Sequence, residues 1–330
     1  ESWDISRDGL TYTFHLRADA RWSNGEPVTA ADCVASWRRV LTPSLGADYA
    51  YLFYVIAGAE DFHRGRQPDF AKVGLAAPDA HTLVVTLARP VPYFLQLLPG
   101  TPWRPVNVRA IAAWGDASTR GTPWTRPGRF VSSGPFDLAT WDLNHRIVVR
   151  RSATYWDRAR VRLKEIHFML AENEDTAERA FRGGQLHVTE SLPPAKIDAY
   201  RRDQPDVLRR DPYANTFFFR FNIRRAPLDD ARLRRALSLA IDRQALADRV
   251  LIGGQQPAAT FVPPQTPDYL PPERPLHDPE AARRLLAEAG YGPDRPVPPL
   301  TVAFANSNNF RLVAEAIQEM WRRELGVEVR

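Results

Sequence analysis

The sequence predicts an α/β protein, and three observations lead to that prediction. Segments that alternate between apolar and polar residues, as strands do, recur along the 330-residue chain. Between them lie segments with apolar residues at helical spacing, several of which begin after a residue that caps helices well. Strands and helices therefore follow one another along most of the chain, as in proteins whose sheets are covered by helices.

The first strand, turn and helix are predicted from residues 11–41. Alternating apolar side chains indicate the strand, and they are Tyr12, Phe14 and Leu16. Asn24-Gly25 is typical of a tight turn, and Thr29 with Asp32 forms a capping box at the start of a helix. The apolar face of that helix is formed by Val34, Trp37 and Leu41. None of these residues forms a recognisable catalytic group, so the stretch is predicted to be scaffold.

The middle of the chain predicts further strands and helices. Apolar alternation indicates a strand at residues 81–87 and a hairpin at residues 132–156. A strand, a helix capped by Asn173 and a second strand are predicted over residues 165–191. Such a unit makes parallel strands, and ligands collect beyond their carboxyl ends. The loop at residues 189–191 is therefore a candidate rim of a binding site.

The last third of the chain continues the pattern. Residues 215–222, with the sequence NTFFFRFN, predict a strand that is buried on both faces. Helices capped by Asp242 and Asp278 follow, and then a strand at residues 300–304 and a helix that starts at Asn309.

The two ends of the sequence predict a longer parent chain. Val327 and Val329 begin an alternating strand that stops at Arg330 with no predicted partner. The chain starts without a methionine, and no stretch of about 18 or more apolar residues predicts a membrane-spanning helix. We therefore expect segments to be missing at both ends.

Composition narrows the classes of partner. The chain is 44% hydrophobic and 25% charged, which is typical of globular domains, and its net charge is +5. The basic residues are mostly arginines, scattered along the chain and often next to a carboxylate. This pattern argues against a surface for nucleic acid, anionic lipid or acidic substrates, and we predict no nucleic-acid partner.

No motif for catalysis or metal binding is recognisable. The seven histidines sit in separate elements without a second ligand at metal-binding spacing, and no GxSxG, P-loop or GxGxxG motif follows a strand. Cys33 is the single cysteine, so an internal disulfide is excluded, and we predict that it is buried in the core. The sequence predicts a binding protein rather than an enzyme, with no metal and no cofactor.

Several segments in a fixed order resemble the bacterial extracellular solute-binding proteins of the oligopeptide and dipeptide class, known as family 5. The resemblance covers essentially all 330 residues. The segments that carry it are TYTFHLRADARWSNGEPVTAADCVASWRRVL, DAHTLVVTLARPVPYFLQLL, SSGPFDLATWDLNHRIVVRRSATYWD, FNIRRAPLDDARLRRALSLAIDR and DPEAARRLLAEAGY.

This resemblance implies an architecture as well as a class. The fold would be the two-lobed, type II fold of periplasmic binding proteins with an extra α+β domain, of the cluster C kind, incomplete at both ends. The extra domain would comprise residues 1–107, part of lobe one residues 108–214, and part of lobe two residues 215–330.

The resemblance also implies ligand-binding positions. A tyrosine that faces the ligand in oligopeptide receptors corresponds to Tyr49, and the aromatic and acidic residues of a later strand correspond to Phe218 and Arg220. The exchange of an acidic residue for Arg220 reverses the charge of a side-chain pocket. A loop that contacts ligand in the family corresponds to Glu190 and Ser191.

The function that the resemblance implies is capture of oligopeptides between lobes and their delivery to the permease subunits of a membrane ABC transporter. The receptor would be a monomer, either periplasmic or lipid-anchored outside the cytoplasm. Relatives of this kind also bind cell-wall peptides, glutathione, metal chelates or haem, so these ligands stay open. A peptide-acting enzyme is the competing alternative.

Overall fold

The computed structural model describes residues 1–211, 213–263, 266–305 and 307–330. It divides into two compact units, Glu1–Leu170 and Ala171–Arg330. We refer to them as the first unit and the second unit. The finer division into three domains at residues 107 and 214 stays a prediction.

Two antiparallel sheets form the strand content of the first unit. Strands β1 to β4 form a sheet in the order β1-β2-β4-β3, and their bounds are Ser2–Ile5, Thr11–His15, Leu75–Ala76 and Thr82–Thr86. Strands β5 to β7 form the other sheet in chain order, with bounds Phe136–Asp142, Arg146–Arg151 and Glu165–Met169. The predicted strands at residues 11–17 and 81–87 and the predicted hairpin are confirmed.

The helices of the first unit are short apart from the first. Helices α1 to α4 have the bounds Ala30–Leu41, Ala59–His63, Phe94–Leu97 and Val108–Ala112. The predicted capping box of α1 is present, because the Thr29 side chain accepts from the Asp32 amide and the Asp32 carboxylate accepts from the Thr29 amide at 2.9 Å. Gly25 in the predicted turn has a φ of 87°, a value that favours glycine.

An aromatic cluster forms the core of the first unit. Phe53 and Trp103 stack with their ring centroids 3.9 Å apart, and Trp37 meets Trp103 edge-on at 5.2 Å. The indole of Trp37 also donates to the Trp103 carbonyl at 2.9 Å, which satisfies its buried N–H. Cys33 is buried as predicted.

The second unit is mainly helical in its described residues. Helices α5 to α8 have the bounds Glu174–Arg182, Pro194–Asp203, Ala231–Leu239 and Arg243–Ala245, and a π-helix follows at Leu246–Leu251. Helices α9 and α10 have the bounds Pro279–Glu288 and Asn308–Leu325. The predicted caps Asn173, Asp242 and Asp278 each accept a hydrogen bond from a backbone amide of the first turn, at 2.9 Å.

Helices α7, α9 and α10 enclose the core of the second unit. Leu233, Leu237 and Val327 are fully buried there. The indole of Trp321 on α10 donates to the Leu237 carbonyl of α7 at 2.7 Å. This bond ties two helices that are distant in sequence and leaves no unpaired N–H on a buried ring.

Four strand predictions differ from the structure, and one of them is residues 300–304, which form only an isolated bridge at Leu300. Residues 185–191 and 215–222 form no strand, so the predicted strand–helix–strand unit is not formed. The predicted end of the chain was also wrong, because Val329 pairs in parallel with Leu300. Alternation of side chains indicates an extended backbone, whereas a strand also needs a neighbour to receive its hydrogen bonds, and the sequence does not state which segments become neighbours.

Candidate functional site: an open extended segment of the second unit

The side chains of the extended segment at residues 213–222 lie on two faces. Phe219 and Phe221 pack against the core of the second unit, whereas Phe218 and Arg220 are exposed. This alternation follows from the two-residue repeat of an extended chain. Phe218 and Arg220 therefore point to the same side, away from the core.

The backbone of this segment is open. Within the described residues, no amide between 216 and 221 donates to another backbone group, and no carbonyl there accepts from one. Backbone N–H and C=O groups are strong donors and acceptors that need partners. An extended chain with these groups unpaired can receive the main chain of another extended peptide.

A second segment, residues 253–262, lies beside the first. The rings of Phe218 and Phe261 meet edge-on with centroids 4.9 Å apart. Arg210, which lies eight residues before Phe218, also contacts the second segment. Its guanidinium occupies the space where a Cβ at position 254 would lie. Gly254 has a φ of 88°, a backbone conformation that favours glycine. The contact between Phe218 and Phe261 therefore brings the second segment next to the outward face of the first.

Arg220 is available to a ligand. It forms no hydrogen bond or ion pair with any residue that the structure describes. Arg209, by contrast, donates from its Nε to Asp211 at 2.6 Å. A guanidinium without a carboxylate partner retains all five of its donors for an incoming group.

The predicted residues Glu190 and Ser191 lie in the irregular connection between α5 and α6, and both are exposed. Tyr49 is also exposed, but it lies in the first unit, just before a 3₁₀ helix at Ala50–Val55, and its ring lies 6.2 Å from that of Tyr51. The structure therefore places Phe218 and Arg220 on one face, and Glu190 and Ser191 next to each other on a different segment. Their roles, and that of Tyr49, stay predictions.

Sequence reasoning missed a buried carboxylate that supports the loop of Glu190. Glu178 on α5 is 2% exposed and accepts from Lys196 Nζ, and from the hydroxyl of Tyr200 at 3.0 Å, both on α6. The bond from Lys196 lowers the pKa of Glu178 below its usual range, although burial acts in the opposite sense. The spacing of Lys196 and Tyr200, four residues apart on one helical face, is the sequence signal that could have revealed this cluster.

The described part of the chain shows no group of three or more histidine, cysteine, aspartate or glutamate side chains that could hold a metal ion. Among the described helices, none is long and apolar enough to cross a membrane.

The sequence matches the family described as "Bacterial extracellular solute-binding proteins, family 5 Middle" over residues 1–330. The chain belongs to this family, as its segments predicted.

Three relatives make the similarity concrete. The chain is 36% identical to the periplasmic oligopeptide-binding protein OppA of Escherichia coli over 340 aligned positions. It superimposes with a TM-score of 0.92 on the E. coli murein tripeptide-binding protein MppA, at 32% identity. The TM-score is 0.91 for OppA of Burkholderia pseudomallei, at 31% identity. In each case the whole chain is covered, but it spans only 61%, 64% and 65% of the relative's length, respectively.

These similarities confirm the predicted fold class, the α/β fold of periplasmic peptide-binding proteins. The two E. coli relatives are named as binding proteins. The family is one of extracellular solute-binding proteins, and the E. coli OppA is periplasmic.

Proposed function

We propose that this chain is the central part of a receptor that captures oligopeptides and delivers them to the permease subunits of a membrane ABC transporter. The receptor acts as a monomer outside the cytoplasm, either free in the periplasm or held by a lipid anchor, and it catalyses no reaction. Tyr49, Glu190, Ser191, Phe218 and Arg220 are the proposed ligand contacts.

The observation that carries the proposal is the open segment at residues 213–222. The unpaired backbone groups of residues 216–221 suit the main chain of a peptide of any sequence, since every residue except proline offers the same donor and acceptor. Phe218 and Arg220, on its outward face, meet the ligand's side chains. The similarity to an oligopeptide-binding and a murein tripeptide-binding protein supports a peptide ligand.

Arg220 sets the preference of the site among peptides. A guanidinium binds a carboxylate through two parallel hydrogen bonds and repels an ammonium group. We expect the full-length receptor to bind Ala-Glu-Ala at least about tenfold more tightly than Ala-Lys-Ala, which corresponds to about 1.4 kcal/mol. Arg220→Glu should remove or invert this order.

Titration calorimetry with both tripeptides measures the preference, and chromatography of the peptides after incubation detects hydrolysis. Arg224→Glu is the matched control, because Arg224 is also exposed and makes the same change of charge four residues further on. A murein tripeptide in the same series tests the cell-wall alternative. Peptide turnover without tight binding would refute the receptor, whereas equal affinities that Arg220→Glu leaves unchanged would show that Arg220 does not face the ligand.

A further inference from the structure

The connection between β6 and β7 carries an excess of positive charge. Its residues 156–164, which we call the basic loop, have the sequence WDRARVRLK. Arg160 lies 3.6 Å from the single carboxylate of the loop, that of Asp157. The side chains of Arg158, Arg162 and Lys164 form no hydrogen bond or ion pair with any described residue. The balance of charge that is typical of the rest of the chain is absent here.

A fifth cation, Arg151, lies against the loop. Its amide donates to the Lys164 carbonyl at 2.8 Å, one position beyond the paired residues Arg150 and Glu165. Arg151 and Lys164 are therefore opposite each other on one face of the sheet. Like charges in that position repel each other. Glu165 cannot relieve the repulsion, because it is on the other face and accepts from Arg150 at 2.8 Å.

Arg151 and Arg158 line a cleft of about 320 Å³ together with Ala159. One nitrogen of Arg151 donates to the Val161 carbonyl at 2.9 Å, which fixes the guanidinium while its other donors stay free. Two guanidinium groups around one opening suit a phosphate group, which accepts several charge-assisted hydrogen bonds at once.

Exposed apolar side chains accompany these cations. Leu163 is 59% exposed between Arg162 and Lys164, and Trp156 is 44% exposed. The guanidinium of Arg17 lies over the Trp156 ring, 3.9 Å from its centroid. Exposed leucine and tryptophan next to several cations are typical of segments that lie in the interface of a membrane, with the rings and aliphatic groups below the headgroups and the charges among them.

We propose that the basic loop and Arg151 form a docking surface for anionic phospholipid headgroups. The cleft binds a headgroup phosphate, the remaining cations contact neighbouring headgroups, and Leu163 and Trp156 enter the interface. An exposed leucine among the cations contributes nothing to a surface that binds phosphate groups alone, such as one for nucleic acid. The proposal concerns the first unit alone and does not depend on which solute the second unit binds.

Sedimentation of the full-length protein with lipid vesicles tests the proposal. We expect binding to vesicles that contain phosphatidylglycerol, weaker binding as salt is raised, and little binding to pure phosphatidylcholine. Each basic residue near an anionic surface contributes about 1 kcal/mol, so Arg158→Gln with Arg162→Gln should lower the partition coefficient roughly 30-fold. Leu163→Ser should also lower the partition coefficient, because the leucine side chain no longer enters the membrane interface.

The matched control is Arg235→Gln with Arg284→Gln, which removes the same charge from exposed helical positions of the second unit. It should change the partition coefficient less than about twofold. An equal loss in both double variants would show that net charge alone drives binding and would overturn the proposal. So would displacement from vesicles by low-millimolar inorganic phosphate combined with no effect of Leu163→Ser, because the site would then take free phosphate rather than a membrane surface.

Discussion

The two units bury their apolar cores with different kinds of secondary structure. In the first unit, hydrogen-bonded antiparallel strands carry much of the core, and β2 and β4 pair over five residues each. In the second unit, helices α7, α9 and α10 carry the core, and the extended segment at residues 213–222 only lays Phe219 and Phe221 on it.

This difference shows that packing of side chains on a core does not require the backbone to be hydrogen-bonded to a neighbouring strand. In β2, Tyr12 is buried and its backbone is paired on both sides. Phe219 also packs on a core, but its backbone has no partner within the described residues. Burial of alternate side chains thus holds a chain extended without a sheet, and it leaves backbone donors and acceptors available to a ligand. The unpaired region is the one to which we assign ligand contacts in the proposed function.

The largest expected effects come from the two cores. Phe53→Ala removes a fully buried ring that stacks on Trp103, and we expect it to lower the free energy of unfolding by about 3–5 kcal/mol. Leu237→Ala, its counterpart in the second unit, should cost about 2–5 kcal/mol. Denaturant titrations measure both losses.

Hydrogen exchange assigns each loss to a unit. If the units are separate cooperative bodies, Phe53→Ala weakens protection mainly in residues 1–170 and Leu237→Ala mainly in residues 171–330. Equal loss of protection in both units from either variant would contradict that division.

A pair of glycines gives a smaller and more controlled comparison. Gly58 in the first unit and Gly326 in the second have φ values of 69° and 65°. A Cβ at position 58 would lie 2.6 Å from the Lys72 carbonyl oxygen, whereas a Cβ at position 326 would meet nothing within 4 Å. Alanine at either position incurs the left-handed strain of about 1 kcal/mol. Only Gly58→Ala adds a backbone clash, so it should cost about 2–4 kcal/mol.

Thermal melts of the two alanine variants are the measurement. Both glycines have similar positive φ values, so each variant is the control for the other. Equal destabilisation would mean that the backbone at residues 58 and 72 moves apart to admit the Cβ with no loss of stability. The close packing at this position of the first unit would then not be rigid.

Local signals in the sequence were sufficient to predict several helices and their caps, but not helices α4 and α6. Thr29 with Asp32, Asn173, Asp242 and Asp278 all act within one helical turn, so the residues that make each hydrogen bond are neighbours in the chain. The same holds for the antiparallel hairpin of β5 and β6, whose strands are joined by a short turn.

Pairing between distant segments could not be predicted in this way. Leu300 receives Val329 as its parallel neighbour across 28 intervening residues that include α10, and no local pattern specifies that choice. The candidate site has the same limit. Family resemblance selected Phe218 and Arg220, but only the structure shows that their segment is unpaired and that Phe261 lies beside it.

The smallest expected effects concern two carboxylates, one in each unit, whose pKa values shift in opposite directions. Glu178 in the second unit has its pKa lowered from 4.5, first by the bond from Lys196. Asp137 on β5 of the first unit has its pKa raised from 3.8 by burial, which a hydrogen bond from Ser152 only partly offsets. Its Oδ1 has no partner among the described residues. Bonds to a cation therefore favour the ionised form of Glu178, whereas burial favours the protonated form of Asp137.

The opposite shifts give opposite pH dependences. The stabilisation from Glu178 is complete above pH 4.5 and is lost as the pH falls through its lower, native pKa. Glu178→Gln should therefore lower the free energy of unfolding by about 1 kcal/mol at pH 7, and by less at pH 3.

Asp137 destabilises the native state increasingly as the pH rises from 3.8 through its higher, native pKa. Asp137→Asn should therefore stabilise the protein at pH 7, and the gain should disappear below about pH 3.8. Urea titrations of the wild type and both variants between pH 3 and pH 7 measure these differences. A loss from Asp137→Asn at neutral pH would show that bonds to the ionised Asp137 carboxylate outweigh its burial, and that its pKa is not raised.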